Sequence, residues 1–153
     1  MEPLEDSISD AEVARLRAGY DKHVFLEANR KAFSTAYPPL GPWADAAGAL
    51  LSADTPIEPK VRELCLISLL AYRAPGLSLA THVYWGLMEG ASVRQICHAA
   101  TFAGCYGGFP TLAASLLAIK RTLSTLKQLA NEPSCGSERV LPALALEFAQ
   151  VNV

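Results

Sequence analysis

Charge is scarce in this sequence: Asp, Glu, Lys and Arg make up only 18% of its 153 residues. The basic excess of a nucleic-acid binder is missing, since thirteen Lys and Arg face fifteen Asp and Glu, a formal net charge of −2. Long apolar runs are missing too. The most apolar stretches, residues 64–72 and 112–119, fall far short of the ~20 residues that span a bilayer. The N-terminus, Met1-Glu-Pro-Leu-Glu-Asp-Ser7, is acidic and lacks the basic and apolar regions of a secretory signal, so a cytoplasmic location is expected. Four cysteines, Cys65, Cys97, Cys105 and Cys135, form neither a CxxC pair nor a zinc-finger rhythm with histidine, and buried free thiols are the expected state. The glycines at 104, 107 and 108 are not followed by the Lys-Ser/Thr of a phosphate loop, which excludes a nucleotide site of that kind. Sustained apolar–polar alternation, the mark of a strand, does not occur.

What is present is apolar: 51% of the residues, with a mean hydropathy of +0.21. That excludes a disordered chain. For a chain of this size it leaves surplus apolar surface, and burial between subunits is the simplest outlet. The length suits one domain with its own core. Helical periodicity runs throughout. Ser9 with Glu12 forms a capping-box pattern, and the apolar spacing from Val13 through Val24 continues toward Pro38 as one long helix. Arg15, Arg17, Asp21 and Lys22 fill its other face. A short helix fits residues 42–51. A third fits 58–72 and is so densely apolar that burial nearly all round is expected. A fourth fits 78–89, closed by Gly90. A fifth starts at the Ser92/Gln95 capping box and ends near Phe102, before the glycines. A sixth fits 110–131, and the tail forms one more short helix. The expected fold is all-α, an antiparallel bundle. Residues 1–40 read as a helical arm, 41–132 as the core and 133–153 as a C-terminal tail.

Three pieces within residues 56–122 carry a family resemblance. The first is Lys60-Val-Arg62-Glu63-Leu64. The second is His82 followed by Gly90-Ala-Ser-Val-Arg-Gln95-Ile. The third is Tyr106-Gly-Gly-Phe-Pro110. In this order and spacing they resemble the carboxymuconolactone decarboxylase and alkylhydroperoxidase D family. The resemblance implies an alkylhydroperoxidase D-like helical subunit that assembles as a trimer or hexamer. It also implies a small-molecule pocket near the third, fourth and fifth helices. The peroxidase branch carries thiols seven and four residues before the histidine. Here those positions are Pro75 and Ser78. Neither can attack a peroxide or resolve a sulfenic acid, so a dithiol peroxidase is excluded at this site. Gln95 and Gly107 also depart from the family's pattern.

The proton-handling pair persists. Glu63 precedes His82 by nineteen residues, the spacing of the family's relay pair. A carboxylate beside an imidazole fixes its tautomer and equips it to take and return a proton near neutral pH. Loss of carbon dioxide from an unsaturated lactone acid needs such an acid/base and a donor for the developing oxyanion, with no metal, flavin or thiol. Glu63 and His82 are therefore the candidate catalytic residues, and His98, Tyr106, Trp85 and Arg62 the candidate substrate-binding ones. Without a partner Glu63 reads as a surface or salt-bridged residue, His82 as a core histidine and Arg62 as a solvated charge. Tyr72 reads as core. The expected activity is a cofactor-independent, decarboxylase-like lyase acting on a small unsaturated acid, lactone or polyketide-like substrate. A related isomerase or cyclase, a cysteine-dependent redox protein and a noncatalytic family member remain as alternatives. Neither nucleic acid nor membrane is an expected partner.

Overall fold

Ser9 opens the first helix as its sequence predicts. In the computed structural model its hydroxyl accepts from the Glu12 backbone N–H, and the Glu12 carboxylate accepts in return from the Ser9 backbone N–H at 2.8 Å. The structure describes residues 3–36, 56–73 and 75–149, with positions 39, 41, 42, 45, 46 and 49. These are all-α, and among the described residues there is no strand. The expected helix at 42–51 lies outside the continuously described residues. A single 3-10 turn, Leu4–Asp6, precedes α1 (Asp10–Ala18) and α2 (Lys22–Ala36). Then follow α3 (Pro59–Arg73), α4 (Leu77–Met88), α5 (Val93–Ala130) and α6 (Ser137–Ala149).

The one long N-terminal helix expected from periodicity is instead two. It breaks at Gly19, where a Cβ would sit 2.8 Å from the Cys135 carbonyl oxygen. Ser137, at the start of α6, takes up the freed Asp21 N–H at 2.8 Å. Arg15 and Arg17 do more than face solvent. Arg15 Nε donates to the Ala130 carbonyl, and Arg17 Nε donates to the Leu87 carbonyl, each at 2.9 Å. Both carbonyls lie at helix C-terminal ends, of α5 and α4, where cations suit the helix dipole; that of Leu87 also accepts from the Gly90 N–H at 3.2 Å.

α4 is the centre of the fold, with residues 79–81 and 83–88 buried. Gly90 follows it at φ +94°, the left-handed turn expected after that helix. Around α4 pack α3, α5 and α6. Leu16 of α1 and Phe25 of α2 lie fully buried in the same core as Tyr84 and Trp85. α3 is not buried all round. Only Glu63, Ile67 and Ala71, one residue per turn, are fully covered. Val61, Leu69 and Tyr72 are exposed, so Tyr72 is not a core residue. The first arm of α5 also runs past the expected end at Phe102. Glycines 104 and 107 stay helical, and the break falls at Gly108 (φ 78°, ψ 178°), a conformation that needs glycine, just before Pro110. As one element α5 contains an apolar stretch long enough by composition to cross a membrane, only 22% of it buried. The break at Gly108 interrupts the element that carries it.

Glu12 ties the N-terminal helix to the rest. Its carboxylate accepts from Ser9 and from Asn131 Nδ2 at 2.8 Å. The Ser9 backbone bond, then Asn131, hold its pKa down to about 2. A depressed carboxyl contributes stability above its unfolded value near 4.5 and loses it as pH falls toward 2. Glu12→Gln is therefore expected to cost ~1 kcal/mol at pH 7. Urea titrations should show the gap to wild type closing as pH falls from 4.5 toward 2. A gap that stays constant with pH would refute the assignment.

Candidate functional site

The sequence puts a carboxylate into the apolar stripe of α3, in register with Ile67 and Ala71. A buried carboxylate needs partners, and Glu63, 0% exposed, has two. Its Oε2 lies 2.8 Å from His82 Nδ1 and its Oε1 3.3 Å from Arg62 Nε. Close approach of α3 to α4 makes this possible. A Cβ on Gly86 would lie 3.3 Å from Ile67 Cδ1 and 3.7 Å from Glu63 Cβ. That explains a glycine in the middle of a helix, where it otherwise costs ~1 kcal/mol against alanine.

Trp85, one turn on from His82, stacks on its ring at 5.9 Å between centroids and 18° between planes. Its Nε1 donates to Glu89 Oε1 at 3.1 Å, which fixes the indole. The Arg62 guanidinium and the Lys22 ammonium lie 5.9 and 6.0 Å from the Trp85 ring, within cation–π range. Behind it, Phe25 packs edge-on against Tyr84 and Trp85 at 5.0 and 5.7 Å. Burial, assisted by the Glu89 charge, pushes the Tyr20 hydroxyl above the usual tyrosine range, so it stays a protonated donor. Among the described residues, Tyr20 Oη and Arg62 Nη2 are both buried with no hydrogen-bond partner.

With Nδ1 turned to Glu63, Nε2 is the ring nitrogen not engaged by the carboxylate. His82 is one wall of a cavity of about 260 Å³. Asn29 of α2, Ser78 of α4 and Leu141 of α6 contribute to the same cavity. The arrangement is an imidazole with one nitrogen anchored to a buried carboxylate and the ring at the wall of a partly open cavity. It can accept a proton from a bound molecule and return it.

The structure thus brings together Glu63, His82, Arg62 and Trp85. His98 lies elsewhere. It lines a separate groove of about 620 Å³ between α3 and the first arm of α5, edge-on to Phe102 at 5.4 Å. Tyr106 is 87% exposed and lines neither the cavity beside His82 nor this groove. The reason is helical phase. Residues that face α4 from α3 cannot share a face with Cys65, two positions on, which lines the outer groove. The thiols are not buried as expected. Cys65 and Cys105 are exposed and Cys97 and Cys135 partly covered. Burial, and then Glu5, push the Cys97 thiol up, which keeps it protonated and a poor nucleophile. Among the described residues no group of three His, Cys, Asp or Glu side chains is placed to hold a metal ion. Asn29 and Tyr20 were not marked by any motif, and Ser78 was marked only as a position that lacks the family's thiol.

Compared with known proteins, the chain matches no protein-family model, no curated protein sequence and no solved structure.

Proposed function

We propose that this protein is a cofactor-independent enzyme that moves a proton on a small unsaturated acid, lactone or polyketide-like substrate. One observation carries the reading: the fully buried Glu63 carboxylate 2.8 Å from His82 Nδ1, with His82 at the wall of a cavity. A buried ion pair that served only packing could be replaced, both partners together, by apolar side chains at little cost. Here the carboxylate orients an imidazole, as general acid–base catalysis requires. Among reactions of this kind we favour a decarboxylase-like lyase of the carboxymuconolactone decarboxylase and alkylhydroperoxidase D type, on the resemblance of residues 56–122. A related isomerase or cyclase is the second reading. It is favoured by the cavity beside His82, which has no arginine or lysine in its lining among the described residues. The test is carbon dioxide release and ultraviolet absorbance on a panel of unsaturated lactone acids, with His82→Ala beside wild type. Turnover lost in the variant supports the lyase. Binding without release moves the assignment to isomerisation or ring closure. Absence of both turnover and binding across the panel refutes the lyase.

We also propose that the chain works as a homo-oligomer. Val61, Leu69, Tyr72 and Phe102 are large apolar side chains left exposed on α3 and the first arm of α5. A monomer seldom exposes so many together. Light scattering should return a multiple of 16.3 kDa, and Leu69→Glu should lower it. A monomer at micromolar concentration would overturn the proposal.

A further inference from the structure

The cavity beside His82 is specific about what it accepts. Its volume of about 260 Å³ lies just below the ~300–1,000 Å³ usual for ligand sites, so the occupant is compact. Leu77, Leu141, Ala32 and Ala145 give it apolar walls. The polar groups in the lining can be sorted by whether they are already used. Thr81 Oγ1 donates to the Leu77 carbonyl at 2.9 Å. His82 Nδ1 is bound to Glu63. Asn29 and Ser78 also line the cavity, and among the described residues neither side chain has a hydrogen-bond partner in the protein. Ser78 sits one helical turn before His82, so both project from the same face of α4.

The charge of the lining matters as much. All thirteen lysines and arginines fall within the described residues, and none lines this cavity. Arg62, on the neighbouring helix, is engaged with Glu63. A carboxylate held against these apolar walls would give up part of its hydration, and no cation in the lining replaces it. A carbonyl oxygen needs only hydrogen-bond donors, and the Asn29 carboxamide and the Ser78 hydroxyl are such donors.

We propose that the cavity takes a compact, uncharged β,γ-unsaturated carbonyl compound, a ketone or lactone, whose oxygen is held by Asn29 and Ser78 while His82 moves the proton. This rests on the acid–base reading of Glu63 and His82 above, and for this cavity it takes the isomerase, the second reading, over the lyase. His82 Nε2 removes a proton from the carbon between the carbonyl and the double bond. The electron pair of that C–H bond becomes part of a dienolate, and the charge develops on the oxygen facing Asn29 and Ser78. The imidazolium, held by Glu63, returns the proton to the far carbon. The product is the conjugated isomer. Proton and electrons balance within the one molecule, so no co-reactant is required.

The experiment compares two probes on the full chain. One is the five-membered β,γ-unsaturated methyl lactone, and the other is the same ring bearing an acetic acid side chain. Deuterium uptake from heavy water by NMR reports proton removal, and ultraviolet absorbance reports the conjugated product. The uncharged lactone should be turned over with at least ~10-fold higher kcat/KM than the acid, since the acid gives up hydration to apolar walls with no cation in the lining. Asn29→Ala should slow exchange ~10²–10³-fold, as loss of one oxyanion donor does. Asn29→Asp, nearly equal in volume, should slow it at least as much, because it repels the dienolate. Preference for the acid, with dependence on His82, overturns the uncharged class and leaves the acid–base reading standing. Full activity in both Asn29 variants overturns the role of Asn29 alone. No exchange on the uncharged lactone overturns the proposal. No turnover of either probe or of the acid panel overturns the acid–base reading with it.

Discussion

His82→Gln is expected to lower kcat/KM by ~10²–10⁴-fold, the usual worth of a positioned general acid–base. Glutamine keeps a similar reach and can still donate an amide N–H toward Glu63. It therefore removes the titratable nitrogen at the cavity wall while sparing most of the anchor. Thermal unfolding should change little, which separates loss of chemistry from loss of fold. The informative contrast is with His98→Gln. His98 lines the other groove, against Phe102, and its variant should turn over substrate at the wild-type rate. If His98→Gln lost activity and His82→Gln kept it, the catalytic centre would belong to the outer groove. If both kept it, neither cavity would be a site of proton transfer.

Much of this arrangement was legible in the sequence, for reasons that are local. Capping boxes at Ser9/Glu12 and Ser92/Gln95 act over three residues, and both form as their spacing predicts. Glu63 and His82 were paired by the family resemblance, and a physical sign was present as well: Glu63, Ile67 and Ala71 share one helical face, and the first of them is charged. What could not be read depends on distant parts of the chain. Helical periodicity continues smoothly through Gly19, and only the Cys135 backbone, far along the sequence, makes that residue a break point. The composition of 104–108 says that the helix is weak there, but the torsion angles decide which glycine breaks it. Tyr106 looked suited to a ligand because it lies beside those glycines. Since the helix runs on through it, its side chain points to solvent. Asn29 is the clearest omission. It sits on a polar helix with nothing to distinguish it from its neighbours Glu27 and Arg30. Its place in the cavity follows from the packing of α2 against α6, a long-range contact with no local mark.

Glu63→Ala should be the most destabilising single change in the site, at ~3–5 kcal/mol, because it breaks a buried ion pair by removing one partner. Arg62 would suffer most. Its side chain is 13% exposed, its Nη2 is already buried without a partner among the described residues, and its Nε would lose the 3.3 Å bond to Glu63. His82 Nδ1 would be left facing an apolar gap on the inner side of α3. For a chain of this length ~1 kcal/mol moves the melting temperature by about 2–4 °C, so a fall of roughly 6–20 °C is expected. Glu63→Gln should cost less, since its amide oxygen still accepts from one of the two donors. The decisive variant is the double change Arg62→Met with Glu63→Leu, which removes both charges and fills the space with apolar atoms. Buried pairs replaced in this way often lose nothing and sometimes gain. The double variant should therefore recover most of the stability lost in Glu63→Ala, while activity stays absent because His82 has lost its anchor. A cycle over Arg62 and Glu63 measures the coupling directly. Stability regained without activity would mean that Glu63 sits in the core for chemistry and that the fold bears its cost. If Glu63→Ala cost less than ~1 kcal/mol, in the range of an exposed pair, the carboxylate would not be held in the buried position that links Arg62 to His82, and the site would have to be rebuilt around other residues.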